Sequence, residues 1–191
     1  AKIKRINFIG NKDFSDSTLR DVIYSKESRW YKFWTSGDKF DNDRVNYDKD
    51  LLKKYYFDNG YIDFRTLSAT SQLISSDKNF VINFKVYEGK RYKVSKVSIK
   101  SSIKGFKKLN TSDLLEQESD DWFSSKKLEK TIDNLVEKAS EFGFAFVNVR
   151  PRLQKTSKNT VEITFVVSEG EKFYVERINI IGNVKTSDKV V

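Results

Sequence analysis

The most constraining feature of this 191-residue sequence is that it repeats. Glu88-Gly-Lys-Arg-Tyr-Lys-Val-Ser-Lys-Val-Ser-Ile99 returns 81 residues later as Glu169-Gly-Glu-Lys-Phe-Tyr-Val-Glu-Arg-Ile-Asn-Ile180. Asn59-Gly-Tyr-Ile-Asp-Phe64 is echoed by Phe142-Gly-Phe-Ala-Phe-Val147, and Ile6-Asn-Phe-Ile-Gly-Asn11 by Ile178-Asn-Ile-Ile-Gly-Asn183. Self-similarity at a fixed period means one structural unit read several times, so an element assigned in one copy needs a counterpart in the next. The echoes divide the chain into units at 1–88 and 89–170 and the first strand and helix start of a third, truncated unit at 171–191.

Each unit reads in one order. Alternating apolar residues at Ile6 and Phe8, at Val97 and Ile99 and at Ile178 and Ile180 predict a first strand with one buried face. A short helix follows, capped by Ser15 with Leu19, Val22 and Ile23 inward in the first unit, and opening after Thr111 with Leu114 and Leu115 in the second. A longer second helix presents Leu128, Ile132, Leu135, Val136 and Ala139 behind a Ser124 cap, with Gly143 placed for a left-handed C-terminal cap. Its counterpart runs from about Asp43 through Tyr47, Leu51, Leu52 and Tyr55 to Gly60. Two strands joined by a polar turn, at 75–79 and 156–160, then form a hairpin. The last strand is the best patterned, with Phe80, Ile82, Phe84 and Val86 inward and Val161, Ile163, Phe165 and Val167 repeating that face. The unit is therefore α+β, in the order β-α-α-β-β. Only Glu88-Gly-Lys-Arg91 separates the units, which predicts an articulated but not floppy tandem.

Composition excludes whole classes of chemistry. The chain has no Cys and no His, so thiol nucleophiles, disulfides, imidazole acid–base catalysis and the usual zinc, copper and haem ligands are ruled out. Carboxylate catalysis would fall to Asp120-Asp121 or to Asp41 with Asp43, but both pairs read better as a turn and a helix cap. No catalytic residue, metal ligand or cofactor site is expected. No apolar run approaches the ~20 residues of a membrane-spanning helix. The missing initiator Met and the halt at Val191, just as a helix pattern begins, are expected of the middle of a longer protein.

This order of elements, with Ile6-Asn-Phe-Ile-Gly-Asn11, Phe14-Ser-Asp16, Lys26-Glu-Ser-Arg-Trp30, Tyr47-Asp-Lys-Asp-Leu-Leu52, Asn59-Gly-Tyr-Ile-Asp-Phe64, Gly143-Phe-Ala-Phe-Val147, Val149-Arg-Pro151 and Val175-Glu-Arg-Ile-Asn-Ile-Ile-Gly-Asn183, resembles the POTRA (polypeptide-transport-associated) domains of BamA-type outer-membrane protein assembly factors. The match covers the whole chain and looks most like the third and fourth domains with the opening of the fifth. One departure is Ser101-Ser102 where the other units carry Gly-Asn, so the first turn of the second unit is expected to differ. The resemblance implies tandem domains, each a three-stranded sheet packed on two helices. It also implies a non-enzymatic module on the periplasmic face of the bacterial outer membrane, as part of an outer-membrane protein. Its implied partners are unfolded outer-membrane β-barrel proteins, accessory lipoproteins of the assembly machine and its own C-terminal membrane barrel. A related two-partner secretion or translocation pore is the alternative within the same class.

Such domains are thought to take client strands by β-augmentation, in which an extended peptide pairs with a sheet edge through backbone groups. Pro151 lies inside the strand after the second helix, and proline enters sheets at edges or bulges. It also removes a donor. Counting from Gly60 and Gly143, its counterpart is Ser68, so Phe64, Arg65, Thr66, Leu67, Ser68, Ala69 and Thr70, continuing to Leu73, are expected to keep an uninterrupted row of donors and acceptors. A second candidate is Lys26–Trp34, where Arg29, Trp30, Tyr31, Phe33 and Trp34 form an aromatic-cationic loop that either covers the helix pair or docks a partner. The net charge of +9 and the nine Lys/Arg between Lys85 and Lys108 raise two rivals, nucleic-acid binding and membrane-surface contact. The acids are interspersed and the fold pattern is no nucleic-acid module, so a nucleic-acid partner is not expected.

Overall fold

A computed structural model of the chain describes residues 2–28, 41–74, 79–106, 109–156 and 158–170. The first unit contains β1 (Ile3–Ile9), α1 (Asp16–Val22), α2 (Asn42–Asp58), β2 (Arg65–Ile74) and β3 (Asn79–Tyr87). The second contains β4 (Lys93–Ser101), a 3-10 turn at Ser112–Leu114, α3 (Ser125–Glu141), β5 (Val147–Lys155) and β6 (Thr160–Glu169). Each forms a three-stranded sheet, in the orders β1-β3-β2 and β4-β6-β5. The first strand of each unit is parallel to the central one and the second antiparallel.

The helices start and stop for local reasons. Ser15 and Ser124 accept from the amides of Thr18 and Lys127, and Asp41 accepts from Asp43, so the Asp41 carboxylate caps a helix. Both long helices end in the same Schellman motif. Gly60 donates to Phe57 and Tyr61 to Tyr56, while Gly143 donates to Ser140 and Phe144 to Ala139. Gly60 and Gly143 take φ of +96° and +87°, which a residue without Cβ adopts at little cost.

Each unit has its own core. In the first, Ile3, Ile6, Leu19, Leu52, Tyr56, Ile82 and Phe84 are wholly buried; in the second, Val94, Leu135, Ala139, Val161, Ile163, Phe165 and Val167 play that part. All four inward positions predicted for β6 are buried.

Three expectations are corrected. The first helix of the second unit is reduced to one 3-10 turn, because Thr111 makes no capping bond and the amide of Glu116 is taken by Thr131 of α3 at 3.0 Å. In α2, Tyr47 faces solvent, and Val45, Asp48, Leu52 and Tyr56 form the buried stripe. Asp48 turns inward because its Oδ1 accepts the amides of Tyr24 at 2.7 Å and Ser25 at 3.1 Å. Phe64 precedes β2 and is a core residue, its ring stacked 4.0 Å from that of Tyr56. The expected difference at Ser101-Ser102 is present. Gly10 sits at φ +98°, so close to β3 that an added Cβ would lie 2.2 Å from the Val86 carbonyl, whereas the chain at Ser102 donates to Val167 without a left-handed residue.

Candidate functional site

A sheet edge can recruit a strand only if its backbone groups are free. The outer edge of β1 is already occupied, because Ser28 donates to the Ile3 carbonyl at 2.7 Å, Glu27 accepts the Ile6 amide at 2.9 Å, and Arg20 donates to the Ile6 carbonyl at 3.1 Å. The second unit repeats this cover with another segment. Asp120 donates to the Val94 carbonyl at 2.8 Å, the Val94 amide donates to Asp121 at 2.7 Å, and Ser119 Oγ donates to Ser95 at 3.0 Å. Asp120 and Asp121 thus form a turn that seals an edge. The Glu118 amide and the Lys127 ammonium hold the Asp121 carboxyl below its usual range. Sequence reasoning finds neither cover, since every one of these bonds has a backbone group on at least one side and half have one on both, which no side-chain pattern announces.

The remaining edges are β2 and β5, each paired among the described strands with the central strand of its sheet. Their registers identify which amides face outward. Phe80 donates to the Lys2 carbonyl at 2.8 Å, so its amide is turned toward β1. Alternate residues share that sense, which makes Phe80–Leu73, Ile82–Ser71 and Phe84–Ala69 the pairs that exchange no bonds. The amides of Ala69, Ser71 and Leu73 therefore point away from the sheet. In the other unit Thr156 donates to Thr160 at 2.8 Å, and counting alternate pairs from there places Pro151–Phe165 in the same class. The donor that proline lacks is an outward one.

Two refinements follow for the expected row from Phe64 to Thr70. Arg65, Thr66, Leu67, Ser68, Ala69 and Thr70 all lie on β2, but the ladder slips between Thr66 and Ser68, leaving Leu67 in a bulge. The row is interrupted there. The bulge also moves the counterpart of Pro151 from Ser68 to Ala69, since both stand opposite equivalent phenylalanines, Phe165 and Phe84. Arg29, Trp30, Tyr31, Phe33 and Trp34, and the unit expected at 171–191, lie outside the described residues.

The junction between units is closely bonded. Arg91 Nε donates to the Asn59 carbonyl at 2.9 Å and the Tyr92 amide to the Gly60 carbonyl at 2.9 Å. Asp63 accepts from the Tyr92 hydroxyl at 2.7 Å and pairs with Lys155. These contacts hold the Asp63 carboxyl below its usual range and push the Tyr92 phenol up to about 12. Asp58, the last residue of α2, accepts from Ser124 Oγ and from the Lys126 amide at 3.1 Å, and so caps the helix of the next unit. Ile62 packs against the second core, and the Arg91 guanidinium lies 4.1 Å from the Trp122 ring centre.

Comparison with known proteins identifies this architecture. The POTRA family model, described as a surface antigen variable number repeat, matches residues 1–89 and 92–170. The chain belongs to the POTRA family. The outer membrane protein assembly factor BamA of Neisseria meningitidis serogroup B is 29% identical over 193 residues, covering 100% of this chain and 24% of that protein. BamA of Neorickettsia risticii is 31% identical, covering 99% of this chain and 25% of that protein. The chain thus spans about a quarter of the length of the curated relatives it matches. Among solved structures, POTRA domains 3–5 of Haemophilus influenzae BamA align with a TM-score of 0.78 at 25% identity, covering 100% of this chain and 74% of that one. The α+β tandem over the described residues and the likeness to BamA POTRA domains are both as expected from the repeats and motifs.

Proposed function

We propose that these POTRA domains are a periplasmic scaffold of an outer-membrane protein assembly factor, and that β2 is its receiving edge for unfolded outer-membrane β-barrel proteins. The observation that carries this reading is the contrast between edges. β1 and β4 are sealed by their own chain, β5 is blunted by Pro151, and β2 keeps outward amides at Ala69, Ser71 and Leu73. Augmentation through backbone groups tolerates many client sequences, as a receiver of diverse barrels requires. Accessory lipoproteins dock on the same scaffold, with the aromatic loop of Arg29, Trp30, Tyr31, Phe33 and Trp34 as their contact. The chain's own membrane barrel keeps the array at the outer membrane.

The test is an NMR titration of the labelled chain with a peptide from an outer-membrane β-strand. Shifts should cluster on β2, and Ala69→Pro, which deletes one outward donor worth ~1 kcal/mol, should weaken binding about fivefold with the fold intact. Shifts confined to β5, or equal binding by the variant, would remove β2 from the role.

A further inference from the structure

The outward face of the second sheet carries charge that the fold does not require. Val161, Ile163, Phe165 and Val167 of β6 turn into the core, so Glu162, Thr164 and Val166 turn out. The registers then fix the neighbours. Val166 lies between Lys100 of β4 and Arg150 of β5, and Thr164 lies between Ser98 and Arg152. Lys100, Arg150 and Arg152 are all exposed. By strand geometry the Arg150 backbone stands about 10 Å from that of Lys100 across the sheet and about 7 Å from that of Arg152 along β5. Between them the Ser98 and Thr164 hydroxyls share a hydrogen bond of 3.1 Å.

The first sheet shows what the fold needs at these places. Phe8, Phe84 and Ala69 form one row there, as Ile99, Phe165 and Pro151 do in the second. Lys100 therefore corresponds to Ile9, Arg150 to Ser68 and Arg152 to Thr70, while the Ser98–Thr164 pair corresponds to Asn7 and Asn83, bonded at 2.8 Å. The polar pair recurs and the three cations do not. Elsewhere cations have carboxylates at hand, as Arg20 has Asp16, Lys130 has Glu116 and Lys138 has Glu141. Lys100, Arg150 and Arg152 have no carboxylate partner among the described residues. Of the outward positions on the three strands Glu162 alone is acidic, and it lies in the row of Lys96. Like charges set close on a sheet oppose its pairing, so the face is complementary to an anion from outside.

We propose that this face docks an acidic polypeptide segment in extended form, with alternate carboxylates on Arg150 and Arg152 and Lys100 adding attraction from the far strand. Alternate side chains of an extended segment repeat about every 7 Å along one side, which is the spacing of the two arginines. Each guanidinium presents a fork that fits a carboxylate. A membrane interface or a nucleic acid calls instead for aromatic rings, to anchor or to stack. None of the outward positions on these three strands is aromatic. The contact is made by side chains over the face and not by the β5 edge, so it stands apart from strand capture at β2.

Fluorescence anisotropy of a labelled peptide of strictly alternating Glu and Thr, titrated with the full chain at low salt, tests this. Arg150→Ser combined with Arg152→Thr installs the first sheet's own residues and should weaken binding about tenfold. Lys100→Ile, likewise the first sheet's residue, should weaken it about threefold. Removing the same charge from α2, by Lys53→Thr with Lys54→Thr, should weaken it about twofold at most. The peptide with Gln in place of Glu should not bind. Unchanged affinity in both sheet variants would overturn the docking face. An equal loss in the α2 variant would reduce the effect to net charge and overturn it too. Binding to phosphatidylglycerol vesicles that the sheet variants abolish, with no binding of the Glu peptide, would overturn the polypeptide partner in favour of a membrane.

Discussion

The Tyr56 hydroxyl donates to the buried Glu88 carboxylate at 2.8 Å, across 32 residues of sequence. The same carboxylate accepts the amides of Lys12 at 2.8 Å and Asp13 at 3.2 Å, and so ties the turn after β1 to α2 and to the end of β3. Burial and this bond push the Tyr56 phenol far above its ordinary value. Glu88→Ala orphans three donors and should cost ~3 kcal/mol in urea denaturation, with Tyr56→Phe costing ~1 kcal/mol. The second unit has Ala139 and an exposed Glu169 at these positions, so Glu169→Ala should stay within ~0.5 kcal/mol of the unaltered chain.

Asp63 makes the junction acid-sensitive. Lys155 and Tyr92 depress its folded-state pKa below the ordinary 3.8, so its contribution is complete above the unfolded value and is lost as pH falls through the folded one. Cross-domain protection of the Tyr92 amide should therefore decline on acidification below about pH 4. Asp63→Asn should remove that decline. An unchanged pH profile in Asp63→Asn would place the acid sensitivity elsewhere.

Two glycines of similar dihedral angle should respond unequally to alanine. At Gly10 the new methyl would meet the Val86 carbonyl at 2.2 Å, while at Gly143 nothing lies within 4 Å. Gly143→Ala should cost only the left-handed strain of ~1 kcal/mol. Gly10→Ala adds displacement of the central strand and should cost ~3 kcal/mol or more by thermal or urea unfolding.

Proline scanning of β2 reads the ladder directly. Ser68 pairs with Lys85 in a position that donates inward, so Ser68→Pro should cost ~3 kcal/mol of stability. Ala69→Pro occupies the register position that Pro151 already fills in the other sheet and should unfold within ~1 kcal/mol of the unaltered chain. Reversed costs would mean that the bulge lies elsewhere.

The repeat made the element order, the cores and the caps at Ser15 and Ser124 readable, because side-chain spacing carries those decisions. Tyr47 was misplaced because period alone cannot see Asp48 drawn inward by two loop amides. The counterpart of Pro151, Ser68 by counting from the glycines, is Ala69 in the ladder, because a bulge leaves no mark in the composition of Thr66-Leu-Ser68. The covering amides of Ser28 and Asp120 are invisible for the same reason, being backbone donors to backbone carbonyls.

Asp58 ends one helix and begins the next, and Ile62 belongs by sequence to one unit and by packing to the other. The borders drawn by the repeat are therefore not borders of cooperativity. Cutting between Gly89 and Lys90 would leave α3 without its external cap and the second core without a side chain, so an excised second unit melts below the same unit in the array. In the language of linear Ising chains, the junction contributes a favourable neighbour term, and local unfolding of one unit raises the unfolding probability of the next.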